Sequence, residues 1–152
     1  MYKKILVPID GSGTARLGLN EAIGLAKSQG SRIRLVYVIN ELPLVSGDVT
    51  GATYTQLFER TRDYGASVLD EAQKAVRAAG IDVDIKILEA PSGPAGEPIV
   101  GEAAAWPADL IVCGTHGRRG IRRIVMGSDA EFILRQSPVP VLLVRARDGA
   151  GN

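Results

Sequence analysis

The chain has one cysteine and one histidine in 152 residues. A single thiol excludes an internal disulfide framework and fits a reducing compartment. A single histidine, His116, cannot build a metal site alone, because such sites draw on several ligands. Net charge is also scarce. Eighteen Lys and Arg against seventeen Asp and Glu leave +1, so the surface as a whole is not built to coat nucleic acid or an anionic membrane. No run approaches the ~18 apolar residues of a membrane span. The opening Met1-Tyr2-Lys3-Lys4 leads into a short apolar stretch without the length or cleavage site of a secretion signal. Internal repeats and low-complexity blocks are missing. These absences predict a cytoplasmic protein with neither nucleic acid nor membrane as partner.

Two phosphate signatures are absent as well. Asp10-Gly11-Ser12-Gly13 after a strand starts like a dinucleotide fingerprint, but Arg16 stands where the third glycine belongs. Gly-x4-Gly-Lys-Ser/Thr does not occur, so the chain is no ordinary Walker-type NTPase.

What is present is an alternation of strand and helix patterns. Apolar residues make up 45% of the chain, a globular value, and the length suits one domain. Ile5 to Ile9 is a short apolar run closed by a turn cluster and reads as a buried parallel strand. Ala15, Leu19, Ala22, Ile23 and Ala26 then keep helical spacing, with Ser12 or Thr14 as cap and Gly30 as stop. Ile33 to Ile39 is a second strand, and 41–52 reads as a loop rich in Gly, Pro, Ser and Thr. A long helix runs from Tyr54 to Ala79, with Gly65 as a point where it weakens or bends. Val83, Ile85 and Ile87 alternate with Asp84 and Lys86, the pattern of an edge strand with one wetter face. Ala90 to Pro98 reads as a loop, Ile99 to Ala105 as a short helix ended by Pro107, and Leu110 to Cys113 as strand four. Ser128-Asp129-Ala130-Glu131 has the form of a capping box opening a last helix, followed by a strand over Pro138 to Arg145. Residues 1–147 are expected to form the domain and 148–152 a loose tail. The alternation predicts an α/β fold, a doubly wound parallel sheet with helices on both faces. Ligands of such sheets bind beyond the carboxyl ends of the strands, where the strand order reverses.

The most informative stretch is Gly114-Thr115-His116-Gly117, nine intervening residues, then Gly127-Ser128. A strand precedes it and a helix follows. Glycines let a backbone approach a ligand closely, and the free N–H groups of a helix start carry partial positive charge toward it. Arg118, Arg119, Arg122 and Arg123 lie between, with no acid among them. Arg118 is the nearest to the motif, and the others read as solvated. The span is long for a strand-to-helix connection, and long loops are often functional. Ser128 reads either as a cap or as a phosphate ligand. Asp10 reads either as a turn carboxylate or as a group facing ribose or metal-bound water. Cys113 reads as core, and Trp106 as an anchor of the short helix.

Together these residues resemble the universal stress protein family. Lys4-Ile5-Leu6-Val7-Pro8-Ile9-Asp10-Gly11-Ser12 is similar to its first strand and turn, Gly114-x2-Gly117-x9-Gly127-Ser128 to the motif of its ATP-binding branch, and Pro138 to Val144 to its final strand. The resemblance implies five parallel strands in three layers, ordered 3-2-1-4-5, and a homodimer through Val141–Val144. It implies ATP or another adenine nucleotide, with Mg2+, as ligand. Pro8, Ile9 and Asp10 would lie near the nucleoside, Val38 beside adenine through its backbone, and Gly114, Thr115, Gly117, Gly127 and Ser128 around ribose and phosphates. Arg118 and Asp129 fall at positions where the motif varies. The proline-rich 90–98 stretch departs from the family pattern and puts the third helix in question.

The function implied is a dimeric, nucleotide-dependent regulator of stress response. A slow ATPase or self-phosphorylating enzyme is the alternative, with Asp10 for metal and Ser128 or Thr115 as acceptor, although no base to position water stands out. A module that keeps the fold and dimer without nucleotide is another. A phosphate-receiver switch needs a second acid after strand one, an acceptor Asp after strand three and a Lys after strand five, and these positions lack them.

Overall fold

The computed structural model describes residues 1–41, 50–115 and 126–146. Five strands form one sheet: β1 (Lys4–Pro8), β2 (Arg32–Asn40), β3 (Val83–Ala90), β4 (Leu110–Gly114) and β5 (Val141–Val144). Every pairing is parallel, as the alternating pattern predicts, and the order is β3-β2-β1-β4-β5, as the family resemblance implies. Among the described residues four helices connect them: α1 (Gly13–Gln29), α2 (Gly51–Ala78), α3 (Gly96–Ala105) and α4 (Ser128–Gln136).

Side-chain alternation along the strands sorts the core into two layers. Ile5 and Val7 of β1, Leu35 of β2 and Val112 of β4 pack with Leu19 and Ala22 of α1 and Leu69 and Val76 of α2. Leu6, Val36, Ile111 and Cys113 face the other way, against Ile99 and Ala103 of α3 and Ile133 of α4. Both faces of the sheet are therefore covered, which is why the central strands read as continuous apolar runs.

Small residues set how closely the helices approach. α1 buries Ala15, Gly18, Ala22 and Ala26. A Cβ on Gly18 would lie 3.4 Å from the Gly114 nitrogen, so the helix backbone rides directly on β4. α2 runs on through Gly65. This residue is buried, and a Cβ there would overlap the Tyr37 ring. The glycine is the notch that seats a β2 tyrosine.

The helix starts differ from the sequence expectations in three places. α2 begins at Gly51, inside the stretch read as loop, because the Thr50 side chain caps it by accepting from Thr53 N. α3 begins at Gly96 rather than Ile99. Pro98 sits in its first turn, where a missing N–H leaves no intrahelical bond unmade. The capping box at the start of α4 does not form. Gly127 is the N-cap and no side chain caps the helix; its carbonyl accepts from Glu131 N at 3.0 Å, so Ser128 is already the first helical residue. β5 is also shorter than Pro138 to Arg145. Pro138 and Pro140 have no N–H for a ladder, although the Pro140 carbonyl still accepts from Ile111 N at 3.0 Å.

One buried acid was not anticipated. Glu102 of α3 is 5% exposed and accepts from Arg34 Nη1 at 2.8 Å and Lys86 Nζ at 2.7 Å. Arg34 also grips Asp84 through two nitrogens, at 2.6 and 2.9 Å. The hydrogen bond to Asp84 raises its pKa, against the opposing pull of burial, and Glu102 adds to the rise. The guanidinium lies 4.6 Å from the centre of the Trp106 ring. This network clamps the far end of α3 onto β2 and β3, and Trp106 anchors that helix as its buried C-cap.

Candidate nucleotide crevice

β1 and β4 are neighbours, paired Ile5 to Leu110 and Leu6 to Ile111. The chain leaves β1 toward β2 on one side, while β4 continues to β5 on the other. This is the reversal at which doubly wound sheets open a crevice. The turn after Pro8 and the end of β4 at Gly114 therefore lie side by side at that reversal.

On the β1 side, Ile9 N donates to Val36 O at 2.9 Å and its side chain is buried, 6% exposed. The Ile9 side chain thus belongs to the core. Asp10 is half-buried, and its Oδ1 accepts from Ser12 N at 2.9 Å. Gly11 takes φ +85° beside the Tyr64 hydroxyl of α2, and that left-handed conformation disfavours a side chain. Ser12 then caps α1 by accepting from Ala15 N at 3.2 Å. Val38 is half-buried one strand away on β2, paired with Leu88.

On the β4 side, a Cβ on Gly114 would come within 2.8 Å of both the carbonyl carbon and oxygen of Thr14. The strand end and the first turn of α1 are in backbone contact. Thr115 N donates to Val144 O at 2.9 Å, and Thr115 O accepts from Gly127 N at 2.7 Å. These bonds tie the two ends of the glycine-bearing loop together next to the crevice. Ser128 is exposed at the first turn of α4. Asp129, the next residue, turns one carboxylate oxygen elsewhere: its Oδ1 accepts from Gly96 N of α3 at 3.2 Å. Gly117 and Arg118 lie outside the described residues, as do His116, Arg119, Arg122 and Arg123.

The structure joins Thr115 to Gly127 by a hydrogen bond and sets Gly114 against Thr14, just beyond the turn that carries Asp10. The sequence pattern did not disclose that Thr14 backs Gly114 or that Tyr64 covers Gly11. Only folding places those residues side by side. Cys113 is 5% exposed, and burial pushes its thiol up to about 12, which removes it as a nucleophile at neutral pH. Among the described residues no group of three or more His, Cys, Asp or Glu converges as a metal site. No described helix is long and apolar enough to cross a membrane.

A five-stranded parallel sheet in this order, with helices on both faces, defines a doubly wound α/β protein. Residues 1–145 match the universal stress protein family, and the chain belongs to it. The universal stress protein MJ0531 of Methanocaldococcus jannaschii is 34% identical over 145 residues, covering 95% of this chain and 83% of that one. Among solved structures, the protein MJ0577 superposes with a TM-score of 0.87 at 27% identity, covering 98% of this chain and 99% of that one. A universal stress protein from Archaeoglobus fulgidus, solved in complex with dAMP, shares the fold at 22% identity and a TM-score of 0.65, with 94% and 98% covered.

Proposed function

We propose that this chain is an ATP-binding regulator of stress response that works as a cytoplasmic homodimer, with residues 1–147 as its nucleotide-binding domain. The observation that carries the reading is the start of α4. It is a helix N-terminus without a side-chain cap, beside the carboxyl end of β4, at the end of a loop whose two sides are tied by the Thr115–Gly127 bond. Its N–H groups are donors in search of acceptors, and a phosphate supplies both oxygens and the charge that the helix dipole favours. The dAMP complex of the Archaeoglobus relative supports an adenine nucleotide as the ligand class.

In this reading Gly127 and Ser128 hold phosphate, Gly114 and Thr115 border ribose and phosphates, and Gly117 and Arg118 complete the loop. Pro8, Ile9 and the Asp10 carboxylate lie along the nucleoside, with the Val38 backbone beside adenine. Mg2+ fits as a partner of the phosphates. The described residues offer it no three-ligand cage, and magnesium ordinarily takes one or two carboxylates, substrate phosphates and water. Asp10 is the carboxylate within the crevice that suits that role. Bound, the ion neutralises phosphate charge. The protein's part is to orient the chain of phosphates and exclude competing anions.

The dimer would form through Val141–Val144. β5 is an edge strand with Leu142 exposed at 37%, and pairing it with a second copy removes an open edge. Sedimentation at micromolar concentration tests this half, with monomer alone as the contrary result. Native mass spectrometry of gently purified protein tests the ligand: an adenine nucleotide released on denaturation supports the reading. Protein that carries none and gives no heat with magnesium-ATP in calorimetry refutes it.

A further inference from the structure

Each helix starts beyond the carboxyl end of a strand, and α1, α4 and α3 begin in different ways. α1 has its own cap in Ser12. α4 starts at Gly127 without one. α3 has Ala95 at its N-cap, in helical rather than extended conformation and with no side-chain cap bond. Its first amide, Gly96 N, instead donates across to Asp129 Oδ1 at 3.2 Å, a contact spanning 33 positions of chain. Gly96 makes the approach feasible, since a Cβ there would lie 3.0 Å from the Asp129 carbonyl oxygen and 3.0 Å from the Phe132 ring. The far end of α3 is fixed by Glu102 on Arg34 and Lys86. At its near end Glu97 N donates to Pro94 O at 3.1 Å, and the Gly96 amide is served by a carboxylate borrowed from α4.

That carboxylate is the second residue of α4, next to Ser128. In the ligand-free protein it is attracted by two positive helix ends, that of its own helix and that of α3. A phosphate at the start of α4 would take over the first field and repel the carboxylate as a like charge. The remaining attraction is toward Gly96, and the 3.2 Å bond is long enough to tighten.

Resting on the nucleotide reading above, we propose that Asp129 is a positioning residue that couples phosphate occupancy at the start of α4 to the order of the first turn of α3. Nucleotide binding drives the Asp129 carboxylate onto the Gly96 amide and firms the beginning of α3. The opposing cost is affinity, because the acid resists the phosphate that moves it. Occupancy of the crevice is thereby written onto the outer surface of α3, where no nucleotide contact is needed.

The test is amide exchange at Gly96, read by NMR in the full chain with and without magnesium-ATP, in wild type, Asp129→Asn and Asp129→Ala. In ligand-free protein Asp129→Ala speeds Gly96 exchange about fivefold, the worth of one hydrogen bond. Asp129→Asn, which keeps an acceptor, changes it little. Magnesium-ATP slows Gly96 exchange about fivefold in wild type and leaves it unmoved in Asp129→Asn, whose calorimetric affinity for magnesium-ATP rises because a like charge is gone. A merely structural aspartate would give the first effect without the ligand dependence. If wild type binds magnesium-ATP and Gly96 exchange stays the same, the coupling is wrong and the binding site stands. If wild type gives no heat of binding, the site reading fails and takes the coupling with it. Should Asp129→Ala not fold, the wild-type and Asp129→Asn pair decides alone.

Discussion

The two helices that follow the central strands begin in opposite ways. After β1, the chain turns through Gly11 at φ +85° and Ser12 caps α1 with its own hydroxyl. After β4, a longer loop returns to Gly127, which has no side chain to offer α4. Both starts sit at the same end of the sheet, with the first turn of α1 in backbone contact with Gly114. The first is closed and serves the fold. The second has no side-chain cap among the described residues. A cap and a phosphate compete for the same N–H groups, so the uncapped start is where a ligand gains most.

The comparison is sharpened by changes that separate stability from binding. Glu102→Ala lies far from both helix starts and leaves Arg34 and Lys86 without their shared buried carboxylate. It should cost about 3 kcal/mol, the worth of two charge-assisted hydrogen bonds, in urea unfolding while the folded protein keeps its affinity for magnesium-ATP. Gly114→Val strikes where α1 meets β4. The new side chain meets Thr14 backbone atoms, which cannot move without α1. The expected loss is about 3 kcal/mol together with loss of nucleotide binding, and a variant with wild-type stability would show that the two elements are not in contact.

Cys113, the last buried side chain of β4, gives a pH signature. Its folded pKa is pushed up to about 12 by burial, from an ordinary 9.0. The unfolded thiol therefore ionises first. The stability contribution is complete below pH 9 and is lost as pH rises toward 12, at up to about 1.4 kcal/mol per unit. Cys113→Ala should flatten that decline in denaturation curves taken between pH 8 and 11. Equal slopes would mean that the thiol is not buried. The smallest effect belongs to Ser12→Ala, about 1 kcal/mol of stability with unchanged affinity.

Much of this architecture is legible in the residues. The alternation of buried strands and helical spacing gives the doubly wound sheet, and the lean charge of Val83, Ile85 and Ile87 among Asp84 and Lys86 marks β3 as an edge, as found. The errors are local and share a cause. Ser128-x-x-Glu131 has the letters of a capping box, but hydrogen bonding rather than composition decides where a helix starts, and Gly127 O takes the Glu131 amide. Thr50 and Gly51 look like loop because threonine and glycine favour loops until a cap bond forms to Thr53. Pro98 looks like a breaker because its place in a first turn is not visible in composition. For the crevice, Asp10, Gly114 and Gly127 announce themselves through spacing. Asp129 on Gly96 and Glu102 on Arg34 do not, since their partners are 33 and 68 positions away, and only the packed layers bring them together.

The account turns on the difference between the two helix starts, and one paired titration addresses it. Magnesium-ATP is titrated calorimetrically into Gly127→Val and Ser12→Ala, with far-UV spectra confirming that both are folded. The open start of α4 predicts wild-type affinity for Ser12→Ala and no measurable heat for Gly127→Val. Normal binding by Gly127→Val would contradict it.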